Sequence, residues 1–308
     1  MKKSIIYNLS PFNNNMVMST GEYIIKKLLA FAMIYCLSAV LGEGIIIGIL
    51  CGMGYNPLHG LMPTGLIGDL LPYYGFIVFL LVTVLYCRFV EKRTIKSMSF
   101  TRNMVDYLLG ILLAILLLLI IIIMCCSVDA LMFINFNING NMFYLAFWLL
   151  AFVVQGTAEE IMCRGFLLQS LLKKTSVLVA IIISSTAFAF PHFLTLFETD
   201  LEYAIIGTIN LYLVSVIFSL LVLLRSNIWI ACGLHSTWNF VLYGIMGLSV
   251  SGSEIKSDSM FQFCAEDTNI LNGAEYGIEA SIVTTFVLGL FVFALIKSGK
   301  GRMHKNGI

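Results

Sequence analysis

The sequence predicts an all-α, polytopic transmembrane helical bundle of about eight spans, with both chain ends in the cytoplasm. Three observations carry the prediction: 59% of the 308 residues are apolar, only 11% are charged, and the mean hydropathy is +0.96. A soluble domain carries about 25% charged residues. Water is therefore not the main solvent of this chain, and the composition argues against a soluble enzyme or binding module.

Eight apolar runs are long enough, at about 17 to 25 residues, to cross roughly 30 Å of hydrocarbon as helices. They cover residues 28–53, 70–89, 105–128, 142–158, 177–193, 203–224, 228–248 and 280–296. A polar leader precedes the first run, and no small-residue cleavage site follows a short apolar core, so a cleaved signal peptide is not expected.

One continuous bundle with five successive parts is the predicted organisation. A cytoplasmic leader over 1–27 is followed by N-terminal transmembrane helices over 28–128 and by a core over 142–248. Residues 249–279 are acidic and contain Ser, Asn and Gly, which is typical of an external loop of modest order. The last helix and a basic cytoplasmic tail occupy 280–308.

Basic and acidic residues alternate between successive predicted loops. Seventeen of the 18 Lys and Arg residues fall on one side, and they are Lys2, Lys3, Lys26, Lys27, Arg88, Lys92, Arg93, Lys96, Arg102, Arg164, Lys173, Lys174, Arg225, Lys297, Lys300, Arg302 and Lys305. The other loops contain Lys256 and the acidic residues Asp129, Glu198, Asp200, Glu202, Glu254, Asp258, Glu266, Asp267, Glu275 and Glu279. Because basic loops remain in the cytoplasm, this asymmetry predicts the orientation of the bundle.

The first span contains two features that predict helix packing. Gly44, Gly48 and Gly52 recur every four residues on one face, the spacing of a small-residue contact stripe. Glu43 lies beside the stripe, and an ionisable side chain inside a span usually faces a polar interior. We expect Glu43 to be a secondary polar contact and not a catalyst.

Ionisable residues inside spans are the default candidates for a functional site, and here they concentrate in the fourth, fifth and seventh runs. Counting from the basic loops at about 1.5 Å per residue places Glu159, His192 and His235 roughly 21, 27 and 15 Å from the cytoplasmic end. The three side chains could therefore meet at a common depth.

The local spacings assign a different task to each side chain. Glu160 and Arg164 are one helical turn apart in the order that favours an ion pair, while the adjacent Glu159 points about 100° away. His235 and Asn239 also share a helical face. A carboxylate in a low-dielectric site beside a second carboxylate holds its proton more tightly, which suits a general base near neutral pH.

These side chains suffice for amide hydrolysis. Glu159 with His192 would activate water, and His235 with Asn239 would donate to the oxyanion that forms when water attacks a peptide carbonyl. Pro191 lacks a backbone N–H, which is expected to kink the span or free a carbonyl beside His192.

The ordered motifs Glu-Glu-x-x-x-Arg, Phe-x-x-x-His and His-x-x-x-Asn resemble those of the CPBP family, which includes type II CAAX prenyl endopeptidases and bacteriocin-processing membrane proteins. The resemblance covers about 142–248 and implies a CPBP-type catalytic core there. It implies an intramembrane endopeptidase with Glu159, His192, His235 and Asn239 as catalytic positions. Glu160 and Arg164 take supporting positions.

Cofactor, substrate and activity remain open at this stage. No HExxH helix is present, yet Glu159, His192 and His235 could ligate zinc, so a metallo-endopeptidase is an alternative to a glutamate-type one. The Glu160–Arg164 pair could also be purely structural. A prenylated protein and a secreted-peptide precursor are equally acceptable substrates.

Two other classes of function also fit buried Glu and His residues. One is a non-catalytic bacteriocin-immunity or peptide-binding protein, and the other, less favoured, is a proton-coupled transporter, although no internal repeat is seen. The expected partners are a peptide or protein substrate and the lipid bilayer, with no nucleic acid. The expected location is a bacterial cell membrane.

Overall fold

A computed structural model describes residues 5–137, 142–252, 259–265 and 267–303. Some predicted positions lie outside this described part. They are Lys2, Lys3, Lys256 and Lys305 among the basic residues, and Glu254, Asp258 and Glu266 among the acidic ones.

The described chain is mostly helical, with almost no sheet. Its α-helices are α1 (Ile5–Leu9), α2 (Thr20–Gly52), α3 (Leu66–Tyr74), α4 (Phe76–Leu85), α5 (Val105–Ser127), α6 (Met142–Glu160), α7 (Gln169–Leu171), α8 (Val177–Ala189), α9 (Phe193–Leu196), α10 (Leu201–Arg225), α11 (Trp229–Phe240) and α12 (Ile282–Met303). π-Helical segments extend α4 over Tyr86–Val90, join α6 to α7 over Ile161–Leu168, and extend α11 over Val241–Ile245.

Short elements complete the fold. The 3-10 helices are Pro57–His59, Ile95–Met98, Phe190–His192, Ala274–Tyr276 and Ile278–Ala280, and the strands are β1 (Met132–Phe136) and β2 (Phe261–Cys264). The two strands pair antiparallel with a register irregularity between Phe133 and Asn135. This pair was not predicted from the sequence, and it ties the segment after α5 to the segment after α11.

Seven helical segments of the described chain are long and apolar enough to cross a membrane. They are Thr20–Gly52, Leu66–Val90, Val105–Ser127, Met142–Leu171, Val177–Leu196, Leu201–Arg225 and Ile282–Gly299. The remaining predicted run forms a shorter helix over 229–245, comprising α11 and its π-helical extension, and every residue from Ile230 to Asn239 is buried. The prediction of an all-α polytopic bundle is therefore confirmed. The helix over 229–245 lies inside this bundle.

Large apolar side chains on the outer faces of the helices are exposed, whereas apolar side chains between the helices are buried. Leu112, Ile123 and Phe293 are each more than 60% exposed, while Leu118 and Leu234 have no exposed surface. Exposed apolar faces of this extent are stable only against lipid, because water would not solvate them favourably. The fold is that of an integral membrane protein.

Helix α2 begins eight residues earlier than the first predicted span. Ser19 and Glu22 form a capping box, in which the Ser19 hydroxyl accepts from the Glu22 N–H and the Glu22 carboxylate accepts from the Ser19 N–H. This arrangement satisfies N–H groups that the first helical turn leaves free. The hydrophobic run therefore marks the membrane part of α2 and not its start.

The glycines that allow close helix contact are not the predicted stripe in α2. No atom lies within 4 Å of a Cβ added at Gly44, Gly48 or Gly52. Close approach occurs between α5 and α11, where a Cβ at Gly110 would lie 2.3 Å from the carbonyl oxygen of Ile230 and one at Gly233 would lie 2.2 Å from that of Tyr107. The prediction for the α2 stripe was wrong, because periodicity does not show whether a second helix faces it.

Glu43 is also placed differently from the prediction. Its side chain is exposed and lines a groove of about 450 Å³ between α2 and the α3–α4 segment. The groove is otherwise mostly apolar, so Glu43 does not face a polar interior.

The basic loops meet at one end of the bundle. Lys27 and Arg93 both form ion pairs with Glu91, and the Arg93 guanidinium donates to the Ser170 hydroxyl at 2.8 Å. Lys174 donates to the carbonyl oxygen of Met16. At the other end Glu198, Asp200 and Glu275 line one surface cavity, so the bundle has a basic end and an acidic end.

Candidate active site

A fully buried ion pair forms the base of the candidate site. The Arg164 Nη1 donates to Glu160 Oε1 at 2.9 Å, and neither side chain has exposed surface. The Arg164 Nη2 donates to the carbonyl and hydroxyl oxygens of Ser215, at 3.1 and 2.5 Å. The guanidinium lies over the rings of Phe188 and Phe218, at 4.6 and 5.0 Å from their centroids. Arg164 therefore joins α10 and α8 to the π-helical segment after α6.

His235 connects the two adjacent glutamates. Its Nδ1 lies 3.1 Å from Glu160 Oε1, and its Nε2 lies 3.9 Å from Glu159 Oε2. Because a carboxylate only accepts hydrogen bonds, the His235 Nδ1 must carry the proton that is shared with Glu160. The imidazole is thereby oriented with Nε2 toward Glu159.

A second polar row runs from Glu159 to Asn239 through Gln155. The Gln155 Nε2 donates to Glu159 Oε1 at 3.2 Å, and the Asn239 Nδ2 donates to Gln155 Oε1 at 3.4 Å. Gln155 was not predicted as a site residue, although its position one turn before Glu159 places both on the same face of α6. Gln155 thus orients Glu159 and Asn239 together.

His192 is positioned by the break in the fifth span. The α-helix ends at Ala189, and a 3-10 turn over Phe190–His192 contains Pro191. The His192 Nδ1 lies 3.1 Å from the carbonyl oxygen of Phe188. Since a carbonyl can only accept, Nδ1 carries a proton, and in the neutral imidazole Nε2 is then the acceptor.

Two cavities contain the four predicted catalytic residues. The larger has a volume of about 340 Å³ and is lined by Glu159, His192 and Gln155 among other residues. The smaller, of about 50 Å³, is lined by His192, His235 and Asn239, and also by Gln155. His192 and Gln155 lie at the junction of the two cavities.

The structure separates the two glutamates as the spacing predicted. Glu159 has 18% of its side chain exposed and lines the larger cavity, whereas Glu160 is completely buried against Arg164. Only Glu159 of this pair can therefore meet a substrate in this arrangement.

Glu279 is a further carboxylate near the site, and it was not predicted from the sequence. It lines the smaller cavity. Glu279 Oε1 accepts from the Trp238 indole N–H at 2.8 Å, and Oε2 accepts from the Ser251 N–H at 2.6 Å. Burial, and after it the Glu279 charge, raises the pKa of the neighbouring Tyr276 phenol, so Tyr276 stays protonated at neutral pH. No signal in the sequence indicates this contact, because 40 residues of loop and helix separate Glu279 from Asn239.

An apolar groove leads from the lipid-facing surface toward the larger cavity. It lies between α2 and α8, has a volume of about 430 Å³, and includes Leu28, Cys36 and Phe190. Phe31, Tyr35, Ala187 and Pro191 line both the groove and the larger cavity.

The described residues do not form a site that fits a zinc ion. No three His, Cys, Asp or Glu side chains in the described ranges are grouped as metal ligands. Glu159 and His235 approach each other, but His192 does not complete a set of three with them. We therefore derive no step through a metal.

The fold and these side chains define an integral membrane protein with a carboxylate–histidine site buried between its helices. Residues 141–241 match the family model described as "Type II CAAX prenyl endopeptidase Rce1-like", which supports the resemblance to CPBP/CAAX proteases. The match spans about a third of the chain and includes Glu159, Glu160, Arg164, His192, His235 and Asn239. Comparison with curated proteins finds no match.

The matched family indicates the general class of activity. A CAAX-type endopeptidase family indicates a protease and implies a peptide or protein substrate in a membrane context.

Proposed function

We propose that the protein hydrolyses a peptide bond of a membrane-associated substrate by direct attack of water, with Glu159 as the general base. The observation that carries the proposal is that Glu159 and His192 line one cavity, while the neighbouring Glu160 is neutralised by Arg164 outside it. A base must reach the proton that it removes, directly or through one water. The Glu159 carboxylate satisfies this requirement, because its side chain is 18% exposed and lines the larger cavity.

His192 completes the water-binding position. Its Nδ1–H is engaged by the Phe188 carbonyl, so Nε2 can accept a hydrogen bond from the same water that Glu159 deprotonates. The water oxygen forms a bond to the carbonyl carbon as Glu159 takes its proton. Glu159 then passes the proton to the leaving nitrogen as the C–N bond breaks, which leaves a carboxylic acid and an amine; transfer of the acid proton to the amine gives the carboxylate and ammonium products.

His235 and Asn239 would stabilise the oxyanion of the tetrahedral intermediate. With its Nδ1–H directed at Glu160, His235 can donate from Nε2 only as an imidazolium. Glu159 and Glu160 carry two negative charges against the single positive charge of Arg164, so an imidazolium balances the buried charge. The Asn239 amide, held loosely by Gln155 at 3.4 Å, can turn to the oxyanion.

The substrate would reach the site partly through the lipid. The apolar groove between α2 and α8 shares four residues with the larger cavity, and it can hold the apolar part of a membrane-embedded substrate. Both a prenylated protein and a secreted-peptide precursor have such a part.

Cleavage of a peptide library by the purified protein tests the proposal. The library consists of membrane-associated peptides, and products are identified by mass spectrometry with and without a chelator. We expect cleavage of some members at an unchanged rate in the presence of the chelator. Loss of cleavage with chelator and recovery with zinc would favour the metallo-endopeptidase, and binding without any cleavage would favour a peptide-binding protein.

A further inference from the structure

We infer that the smaller cavity is a water-binding site that supplies the water consumed in hydrolysis, and that Glu279 and Tyr276 hold this water. The inference rests on the proposed function for the use of the water, whereas the hydration of the cavity stands on geometry alone. Both residues lie outside the matched region 141–241.

Hydrolysis within a membrane needs a source of water, because the hydrocarbon core of the bilayer contains none. The larger cavity shares four residues with the apolar groove that faces lipid. A substrate whose apolar part fills this groove covers the site from that side. Water that is already held inside the protein avoids this obstruction.

The two cavities lie on different sides of the site. Helices α2, α3 and α4 contribute to the larger cavity, whereas α10, α11 and α12 contribute to the smaller one. Gln155, Phe188, His192 and Ser251 line both cavities. Water in the smaller cavity therefore lies next to His192, the residue to which the attacking water would hydrogen-bond.

The smaller cavity has a suitable size and lining for water. Its volume is about 50 Å³. One water needs about 10–15 Å³ of such volume, so roughly three to five waters fit, and each needs about two to four polar partners. The residues with polar groups along the wall include His192, His235, Asn239, Ser251, Tyr276 and Glu279.

Glu279 is fixed in the cavity wall and retains acceptor capacity. Its Oε1 accepts from the Trp238 indole N–H at 2.8 Å, and its Oε2 accepts from the Ser251 N–H at 2.6 Å. The Asn210 Nδ2 donates to the backbone carbonyl oxygen of Glu279 at 2.9 Å, which also holds the main chain. Since an ionised carboxylate has about four acceptor positions, the remaining ones can accept from water in the cavity.

Tyr276 provides a hydrogen-bond donor on the same wall. Its side chain is 1% exposed, and its hydroxyl has no hydrogen-bond partner among the described residues, although the side chains of Ser251 and Thr195 are its neighbours. A buried hydroxyl that no protein group satisfies is typically bonded to ordered water. One water can accept from the Tyr276 hydroxyl and donate to the Glu279 carboxylate.

Hydroxyl-radical labelling tests whether the cavity is hydrated. Radiolysis converts water into radicals that oxidise the nearest side chains, so a buried aromatic residue is oxidised quickly only where water lies against it. Trp238 is 4% exposed and lines the smaller cavity. Trp148 is the matched control, because it is 1% exposed and lines neither cavity in the described part of the chain. Oxidation of the intact protein in lipid nanodiscs is measured by peptide mass spectrometry.

We expect Trp238 to be oxidised several-fold faster than Trp148. Tyr276 should likewise be oxidised several-fold faster than Tyr23, which has no exposed surface and lines neither cavity among the described residues. Oxidation of Trp238 and Tyr276 no faster than that of their controls would show a dry cavity and overturn the inference.

Filling the cavity tests whether its water is used in the reaction. Val214 lines the smaller cavity, whereas Val216, on the same helix and also half-buried, lines neither cavity within the described ranges. Val214→Phe places a ring in the cavity, and Val216→Phe is the matched control for the added bulk. Val214→Leu is a smaller change that serves if the ring prevents folding.

We expect Val214→Phe to reduce Trp238 oxidation to the level of Trp148. It should also lower the single-turnover cleavage rate constant by about tenfold or more without a change in substrate affinity, because water no longer occupies the cavity beside the site. The loss should be the same for peptides that differ only in the residue after the scissile bond. Val214→Leu should lower oxidation and cleavage together by smaller factors, and Val216→Phe should retain both.

Two kinetic results would overturn the inference. Cleavage by Val214→Phe at the wild-type rate would show that water in the cavity is not used. An altered preference among the peptides would show that the cavity holds a substrate side chain instead of water. If the wild-type protein cleaves no peptide, the proposed function fails, while the labelling still decides whether the cavity is hydrated.

Discussion

Arg164→Ala removes the guanidinium that pairs with Glu160 at the base of the site. The substitution deletes a 2.9 Å ion pair, two hydrogen bonds to Ser215, and contacts with the rings of Phe188 and Phe218. Glu160 Oε2 already has no hydrogen-bond partner among the described residues, and Oε1 would keep only His235. The carboxylate would thus remain buried with one partner.

The expected loss in the free energy of unfolding follows from the burial of Glu160. Removing one partner of a buried pair destabilises by about 3–5 kcal/mol, which is roughly a 10²- to 10⁴-fold change in the folding equilibrium. The free energy of unfolding is measured on purified protein in mixed micelles by titration with a denaturing detergent. Arg164→Lys should recover part of the loss, because it restores the charge without the planar contact to the rings.

Arg225→Ala is the matched control. Arg225 pairs with Asp106, but its side chain is 39% exposed, and Asp106 keeps a 2.7 Å hydrogen bond from Asn227. Loss of such a partly solvated pair should cost about 1 kcal/mol or less. If Arg164→Ala is no more destabilising than Arg225→Ala, the Glu160–Arg164 pair does not have the structural role described above.

Two further substitutions address catalysis and packing. Asn239→Ala should lower kcat by about 10²- to 10³-fold with little change in KM, because an oxyanion donor acts mainly in the transition state. Steady-state kinetics measure both constants. A higher KM with an unchanged kcat would contradict this role. Gly233→Ala should destabilise by about 1–3 kcal/mol, since its Cβ would lie 2.2 Å from the Tyr107 carbonyl oxygen. Gly48→Ala has no atom within 4 Å and should not lower the unfolding midpoint; equal losses in the two variants would refute the assignment of the α5–α11 contact.

The helices, and pairs of side chains along one helix, could be predicted from the sequence more readily than contacts between distant segments. Apolar runs locate the spans because lipid imposes length and composition on them. The Glu160–Arg164 pair follows from spacing along one helix, and it is present at 2.9 Å. Such local rules need no knowledge of neighbouring helices.

Contacts between distant segments could not be predicted in this way. Glu279 reaches Ser251 and Trp238 through a folded loop, and no periodicity marks that loop as part of a cavity wall. The glycine stripe of α2 failed for the same reason, because a pattern on one helix does not reveal its partner. Gln155 could have been found, since a polar residue one turn from Glu159 is visible in the sequence.

The central claim is that the Glu159 carboxylate activates the attacking water, and the rate of a single turnover of substrate peptide tests it most directly. Glu159→Gln keeps the side-chain shape and can still accept from Gln155, while Glu43→Gln makes the same change at a glutamate outside both cavities. We expect Glu159→Gln to lower the cleavage rate constant by about a hundredfold or more, as for loss of a general base. Glu43→Gln should cleave at the wild-type rate. Cleavage by Glu159→Gln at the wild-type rate would contradict the mechanism.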